Sequence, residues 1–325
     1  MISRRAVSAG LAGTALGPAL APAAGFADAF PSRPIKCLVP FVAGSATDVV
    51  ARLVGDRAAA ELKQPIVVEN QAGASGVLAA QHVARAAPDG YTVLIATNTT
   101  HGANQSLLKS VPYDALNDFT PLTRLGYAAL ILLVNPSLPV KSVAELVAYG
   151  KANPGKLTFG SGSSSSRVCG ELLKMRTGLA ATHVPYRSIP PAVADLIGGQ
   201  ISFTFADLQS AVPQLESGKV RGLAVSGTFR ISLAPSLPTM AEAGVPDYDI
   251  VAYFAAFAPA KTPSPVADRL AQALTAAVRD KAVIARLAAV GVEASASTPD
   301  ELRAQVAAEI TKWAALVKAA GIEPQ

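Results

Sequence analysis

Three short loops concentrate the small and hydroxyl-bearing residues of this chain. They are residues 41–48 (FVAGSATD), 97–102 (TNTTHG) and 160–166 (GSGSSSS). Each loop follows a short apolar run and precedes a helical pattern, so each lies where a strand is followed by a helix. The N-termini of helices expose unpaired N–H groups and a partial positive charge, and small residues allow a ligand to approach them. These loops therefore suit the binding of a carboxylate or another oxyanion.

The elements around the loops predict an α/β fold. Strands at 35–41, 66–68 and 91–96 alternate with helices that follow Thr47 and Ser75, and short links between them imply a parallel sheet. A second α/β unit follows, with strands at 156–159, 181–186, 201–205 and 220–226. Ligands of open α/β sheets bind at the carboxyl ends of the strands. Because two of the loops belong to the first unit and one to the second, we expect a site between the units.

The end of the chain is predicted to be helical. Residues 298–301 (TPDE) form a capping box, in which a hydroxyl and a carboxylate each satisfy a backbone N–H at the helix start. An apolar stripe follows, and it is typical of core packing. We expect Trp313 to anchor this helix against the first unit. The stripe consists of Leu302, Val306, Ile310, Trp313 and Val317.

The N-terminus predicts an exported protein. Arg4 and Arg5 precede an apolar run, and residues 27–29 (ADA) offer a signal peptidase site, so we expect cleavage before Phe30. The arginine pair leaves both the general secretory route and the twin-arginine route open. The segment contains no cysteine for a lipid anchor, and no later stretch of the sequence has the length and apolarity of a membrane span. Cys37 and Cys169 fall in different predicted units, so we expect two free, buried thiols.

Composition and motifs exclude several classes of function. The formal net charge of +5 is not organised into basic runs, so nucleic acid is not an expected partner. The loop at 160–166 lacks the third glycine of a dinucleotide fingerprint, and the three histidines show no metal-ligand spacing. We therefore predict no catalytic residue, no metal and no cofactor, and we expect His101 to line a cleft because of its loop.

A series of short motifs, in this order, resembles one family along essentially the whole chain after residue 29. It is similar to the Bug receptors, the TctC-type extracytoplasmic solute receptors of tripartite tricarboxylate transporters. The motifs are 30–36 (FPSRPIK), 39–41 (VPF) with Gly44 and Asp48, 67–76 (VVENQAGASG), 88–92 (PDGYT), 153–157 (NPGKL), 183–186 (HVPY), 198–200 (GGQ), 217–221 (SGKVR) and 242–246 (EAGVP).

This resemblance implies a bilobal fold of the type II periplasmic-binding-protein class, with a hinge and a ligand cleft between two α/β lobes. The implied boundaries are lobe one at 30–127, lobe two at 128–249 and a return to lobe one at 250–325. It implies a monomeric receptor that closes on a small organic carboxylate and delivers it to the permease subunits of the transporter. The implied ligand-binding residues are Phe41, Ala43, Gly44, Ser45, Ala46, Thr47, Asp48, Thr97, Asn98, His101, Ser161, Ser163, Ser164, Ser165, Tyr186, Asp207 and Tyr253.

The chain departs from the family pattern in ways that leave the ligand's identity open. Ser45 stands at a usual glycine, Arg187 and Ser188 replace a usual Lys-Gly pair, and Tyr253 stands where tryptophan is common. Asp48 either caps its helix or touches the ligand. Two other functions stay open at this point. One is a receptor that signals to a sensor protein, and the other is an exported α/β hydrolase that uses Ser45 or Ser163 with a histidine base.

Overall fold

The structure is a computed structural model that describes residues 30–231, 233–319 and 321–324. The predicted leader, residues 1–29, lies outside the described residues. Within them the chain forms ten strands and ten α-helices. The strands are β1 (Ile35–Val39), β2 (Ile66–Asn70), β3 (Thr92–Thr97), β4 (Phe119–Val134), β5 (Thr158–Ser161), β6 (Thr182–Pro185), β7 (Phe203–Asp207), β8 (Arg221–Val225), β9 (Val251–Pro259) and β10 (Glu293–Ala294).

The helices alternate with the strands in the first three quarters of the chain and dominate its end. They are α1 (Ala46–Leu62), α2 (Val77–Ala84), α3 (Asn104–Leu107), α4 (Val143–Ala152), α5 (Ser164–Thr177), α6 (Ile189–Ile197), α7 (Leu208–Glu216), α8 (Ser264–Arg279), α9 (Lys281–Ala288) and α10 (Pro299–Ala319). A 3-10 turn, Ala74–Gly76, precedes α2, and a π-helical turn, Thr99–Ala103, precedes α3.

The strands form two sheet regions that share one long strand. The strand order is β2-β1-β3-β9-β4-β7-β5-β6, and β8 and β10 also pair with β4. Residues 119–129 of β4 pair with β9, whereas residues 130–134 pair with β7 and β8. We call the part built on β1, β2, β3, β9, β10 and the first section of β4 lobe one. Lobe two is the part built on β5–β8 and the end of β4.

The predicted bilobal α/β class is confirmed by this topology and by the similar structures reported below. As predicted from the loops, β1 is parallel to β2 and β3, and β5 is parallel to β6 and β7. The chain enters lobe two along β4 and returns along β9. In β4 the hydrogen-bonded partner changes between Ala129 and Leu130. The exact lobe boundaries at 127/128 and 249/250 remain a prediction.

Ser226 ties the two crossing strands together where they pass between the lobes. Its hydroxyl accepts a hydrogen bond from the Leu130 N–H (2.9 Å) and donates one to the Ile250 carbonyl (2.6 Å). Its backbone bonds the same two residues, at 2.8 and 3.0 Å. Because Ser226 is completely buried, water cannot replace these bonds, and we identify this residue as the link at the hinge.

The last helix, α10, packs on both lobes. Its start carries the predicted capping box, with Glu301 N–H donating to Thr298 Oγ1 at 3.2 Å and Thr298 N–H donating to Glu301 at 2.8 Å. Leu302 and Val306 join the core of lobe one. Trp313 lies against Gly102 of lobe one and also joins a cluster made mostly of lobe two residues, so it anchors the helix to lobe two in addition to the predicted lobe one. The stripe is longer than the face of one lobe, and its second half reaches the other.

Both cysteines are buried and free, in β1 and α5. Burial raises the pKa of the Cys37 thiol to about 12 and that of Cys169 further, so both stay protonated. Among the described helices, none is long and apolar enough to cross a membrane.

Candidate ligand-binding site

A cavity lies between the lobes, at the carboxyl ends of the parallel strands. It encloses about 470 Å³ of space free of atoms, part of it continuous with solvent. Both crossing strands contribute to its wall. The lining residues are Phe41, Ser45, Ala46, Thr47, Thr97, Asn98, Thr99, Ala128, Ala129, Leu130, Gly162, Ser163, Ser165, Ser188, Ile189, Asp207, Ala252 and Phe254.

Four helices begin at this cavity. The residues that precede their first turns all line it, and these are Ser45 of α1, Ser163 of α5, Ser188 of α6 and Asp207 of α7. Ser45 and Ser163 cap their helices through a hydroxyl group and Asp207 through its carboxyl group. Ser188 makes no side-chain capping hydrogen bond, and the two prolines in the first turn of α6 have no N–H group. Because the starts of α1 and α5 offer unpaired N–H groups and a partial positive charge, these two hydroxyl-capped ends favour an anionic group.

Hydrogen bonds to the carboxylate of Asp48 hold the first loop in place. Its carboxylate accepts hydrogen bonds from Gly44 N–H (3.0 Å), from Asn70 Nδ2 (2.9 Å) and from Arg52, whose Nη2 lies at 2.9 Å. Burial raises the pKa of this carboxyl, but the hydrogen bonds from Arg52, Gly44 and Asn70 outweigh it, so the pKa is lowered. Asp48 is absent from the cavity wall, and its N–H donates to the cap Ser45 at 3.3 Å. The structure therefore places Asp48 among the hydrogen bonds at the start of α1, where Ser45 is the cap residue.

These hydrogen bonds also change which N–H groups of the loop are free to bind a ligand. The Gly44 N–H, predicted to face the ligand, is donated to Asp48 instead. Gly44 has φ +79°, a left-handed conformation that glycine adopts without strain, and this turn directs the following residues toward the cavity. Ala43 is exposed outside the wall. Ser45, Ala46 and Thr47 line it, as predicted.

The two lobes are hydrogen-bonded to each other across the cavity. Asn98 Nδ2 donates to Ser165 Oγ at 2.8 Å, and the Ser164 N–H donates to Thr99 Oγ1 at 3.2 Å. All four residues are buried. The second and third loops of the sequence analysis therefore meet directly, and the structure represents a closed arrangement of the lobes.

The middle of the cavity is apolar. Phe41, Ile189 and Phe254 contribute side chains, and residues 128–130 of β4 and Ala252 of β9 complete the wall. Sequence reasoning missed residues 128–130 of β4 and Ala252 of β9 because neither crossing strand had been identified. A sixteen-residue β4 with a nearly continuous apolar end was the available signal.

The wall contains one ionisable residue, Asp207, and no lysine, arginine or histidine among the described lining residues. Its carboxyl accepts a hydrogen bond from Ser210 N–H at 2.9 Å. Burial raises the pKa of Asp207, and the hydrogen bonds from Ser210 only partly offset this effect. The electrostatic attraction for an anion therefore comes from backbone dipoles and hydroxyl groups.

His101 and Tyr253 were predicted to line the cleft, but the structure places both in the core of lobe one. The imidazole stacks on Phe257, with ring centroids 4.2 Å apart, and is completely buried. Burial lowers the pKa of His101 to about 3. The Tyr253 hydroxyl donates to the His101 carbonyl at 3.0 Å. Neither residue lines the cavity, because the π-helical turn directs His101 away from it.

Three further predicted residues lie near the cavity without forming its wall. Ser164 donates its N–H across the lobes, as described above, and Tyr186 donates its hydroxyl to Asp195 at 2.7 Å. Ser161 Oγ lies 2.7 Å from His183 Nε2. Burial, followed by the charges of Arg167 and Lys174, lowers the pKa of His183 to about 4. A ring with so low a pKa is a weak base, and Ser161 does not face the cavity, so this pair gives no support to a serine hydrolase.

A two-lobed α/β protein with an interlobe cavity of this kind has the architecture of a solute-binding receptor. The chain belongs to the TctC family, the tripartite tricarboxylate transporter family receptors, whose sequence profile matches residues 50–322. BugT of Bordetella pertussis is 37% identical over 298 residues, which cover 91% of this chain and 91% of that protein.

Three solved structures share the whole architecture. Rpa4515 of R. palustris, solved with adipate, superposes with a TM-score of 0.89 at 36% identity, covering 91% of this chain and 100% of that one. The periplasmic binding protein BugD gives 0.87 at 32% identity, with 91% and 100% covered. MatC from Rhodopseudomonas palustris, with bound malate, gives 0.84 at 34% identity, with 89% and 100% covered.

Proposed function

We propose that this chain is a periplasmic receptor that binds a small organic carboxylate between its lobes and delivers it to the membrane subunits of a tripartite transporter. The observation that carries the proposal is the convergence of two hydroxyl-capped helix starts, one from each lobe, on one interlobe cavity whose described lining residues include no lysine, arginine or histidine. The adipate of Rpa4515 and the malate of MatC support the same ligand class.

The ligand carboxylate lies at the starts of α1 and α5. There the N–H groups of the first turns and the hydroxyls of Ser45, Thr47 and Ser163 supply donors from both lobes. Helix starts contribute about 0.3–1 kcal/mol each when exposed and up to about 2 kcal/mol when partly buried. Because the donors come from both lobes, the ligand stabilises the closed arrangement over any open one.

Binding is tested by thermal unfolding and by isothermal titration calorimetry of residues 30–325 with aliphatic, hydroxy-, di-, tri- and aromatic carboxylates. A ligand at 100 times its dissociation constant adds about 2.7 kcal/mol to the free energy of unfolding. An upward shift with one group of acids is the expected result. The absence of a shift with every acid, from protein shown by circular dichroism to be folded, contradicts the proposal.

A pair of cap substitutions separates ligand contact from folding. Ser163→Ala removes a hydroxyl at the cavity, and Ser142→Ala removes the equivalent cap of α4, which accepts from Glu145 N–H at 3.1 Å outside the cavity. Each change costs about 1 kcal/mol of stability. Only Ser163→Ala is expected to weaken carboxylate binding, by about 10- to 150-fold if the lost hydrogen bond is to a charged group. Equal affinities of the two variants contradict the placement of the carboxylate.

We propose export and a monomeric state together with this function. The leader-like sequence of residues 1–29 and the similarity to the periplasmic protein BugD support export. The mature protein is then expected to begin at Phe30, which N-terminal sequencing of the periplasmic fraction checks. Size-exclusion chromatography with light scattering checks the monomer.

A further inference from the structure

Asp207 stands out among the four residues that begin helices at the cavity. Three of these positions carry neutral hydroxyl groups, and the fourth carries a carboxyl group. An aspartate at a helix start neutralises the partial positive charge of that helix itself. The start of α7 is therefore not available to a ligand anion, in contrast to the starts of α1 and α5.

The carboxyl group of Asp207 is also poorly compensated. It accepts from Ser210 N–H at 2.9 Å, and no ion pair joins it to a cation in the described part of the chain. Asp207 is half-buried at the cavity wall, and desolvation there raises the pKa of its carboxyl group. A hydrogen-bond donor on the ligand would satisfy it, whereas a second ligand carboxylate would repel it.

The apolar wall between these positions defines the rest of the ligand. Ala128, Ala129 and Phe254 offer no polar side chain to a group in the middle of the cavity. The lining therefore fits a molecule with one carboxylate, an apolar body and one donor group.

We propose that Asp207 selects ligands that carry a hydroxyl group opposite their carboxylate, so that hydroxy monocarboxylates bind in preference to dicarboxylate dianions of the same length. This inference rests on the proposed function and specifies its ligand class. In the complex the ligand hydroxyl donates to the Asp207 carboxylate, and the ligand carboxylate lies at the hydroxyl-capped helix starts.

Calorimetric titration of matched pairs of acids tests the inference at pH 7.5. The pairs are 4-hydroxybutyrate with succinate, 6-hydroxyhexanoate with adipate, and 4-(hydroxymethyl)benzoate with terephthalate. For each pair that binds, the wild-type protein is expected to prefer the hydroxy acid by at least about tenfold, because opposing two like charges in a partly desolvated site is costly. In Asp207→Asn the preference is expected to disappear or reverse, because the amide can donate to the second carboxylate.

Asparagine is as good a helix cap as aspartate, so Asp207→Asn is expected to keep the fold. Asp280→Asn is the matched control, since Asp280 caps α9 by accepting from the N–H groups of Ala282 and Val283 away from the cavity. It should leave the preference unchanged. If circular dichroism shows that Asp207→Asn is unfolded, Asp207→Ser removes the charge and keeps a capping oxygen.

The outcomes separate the two proposals. Wild-type binding of dicarboxylates as tight as that of the hydroxy acids overturns the role of Asp207 and leaves the receptor function standing. If the folded Asp207 variant still prefers hydroxy acids as strongly as the wild type does, the role of Asp207 is likewise overturned and the receptor function stands. If no acid of the three pairs or of the wider panel binds the folded wild-type protein, the proposed function itself is contradicted.

Discussion

Replacing Gly291 by alanine should hold the lobes apart. Gly291 lies between α9 and β10 in lobe one, and a methyl group built on it would lie 2.3 Å from both Cβ and Cδ2 of Leu208. Leu208 is the first residue of α7 in lobe two and directly follows the cavity residue Asp207. Since Leu208 Cβ is fixed to its backbone, a rotamer change cannot relieve the overlap. The lobes must separate or the packing must be strained.

The expected cost follows from this geometry. Carbon atoms in favourable contact lie about 3.5–4.0 Å apart, so the methyl group is more than 1 Å too close. Forcing an extra methylene into a packed site costs about 1–3 kcal/mol. If the cost is confined to the closed arrangement that binds ligand, it appears as an affinity loss of about 5- to 150-fold.

Gly218→Ala separates this contact from backbone strain. Gly291 has φ +76°, Gly218 has φ +69°, and a methyl group on Gly218 has nothing within 4 Å. Both substitutions place alanine in the left-handed region, which costs about 1–2 kcal/mol. We therefore expect similar losses in the unfolding temperature of the two ligand-free variants, with weakened carboxylate binding in Gly291→Ala alone. If calorimetry gives the two variants equal affinities, the reasoning about lobe closure is refuted.

Three further predictions concern the hinge, the third loop and the core. Ser226→Ala leaves the buried Leu130 N–H and Ile250 carbonyl without their side-chain partner. Urea unfolding should therefore show that the free energy of unfolding falls by at least about 1–3 kcal/mol. The control Ser217→Ala, at an exposed serine, should change it by almost nothing. Gly162→Ala would place a methyl group 2.0 Å from the Ser188 carbonyl carbon, so it should lower the free energy of unfolding by about 1–3 kcal/mol. A methyl group on Gly198 would have no atom closer than 3.6 Å, so the control Gly198→Ala should not destabilise the protein. His101 has its pKa lowered to about 3 in the folded protein, so the unfolded state takes up a proton first as the pH falls below about 6.5. Between pH 6.5 and pH 5 the wild type should lose about 1.6 kcal/mol more stability than His101→Phe, and equal losses in urea titrations would contradict the burial of a neutral imidazole.

The sequence predicts the parallel parts of this fold well and the crossing strands poorly. Short apolar runs bounded by turns identify β1, β3 and β7, because parallel strands are buried on both faces. β9 has the sequence VAYFAAFAP, in which alanine gives neither a clear alternation nor a β-branched bias, so its strand state depends on insertion between β3 and β4. A strand that forms because of its tertiary pairing cannot be predicted from a local sequence pattern.

The residues of the candidate site show the same difference between what a local sequence pattern predicts and what the tertiary structure determines. Ser45, Thr97 and Ser163 were predicted because residues at the carboxyl ends of parallel strands must lie at one edge of a sheet. His101 belongs to the same loop as Thr97, yet its side chain enters the aromatic core. The composition of the loop indicates where along the chain the site residues lie. Which of their side chains face the cavity depends on the geometry of the turn, which the composition does not indicate. Ser188 was noted only as a departure from the family pattern, but it begins a helix at the cavity.

The position of β9 between β3 and β4 has a consequence for the order in which the chain folds. The sheet of lobe two has all its strands once β8 has been made, whereas the sheet of lobe one lacks the strand between β3 and β4 until β9 arrives from the last quarter of the chain. Until then β3 and the first section of β4 expose unpaired backbone groups, which is the condition under which strands of different molecules associate. In a chain that emerges from a translocation pore N-terminus first, the sheet of lobe two is therefore expected to form before the sheet of lobe one, and α10 packs on both lobes last. A block on the last quarter of the chain should yield aggregates instead of a half-active receptor.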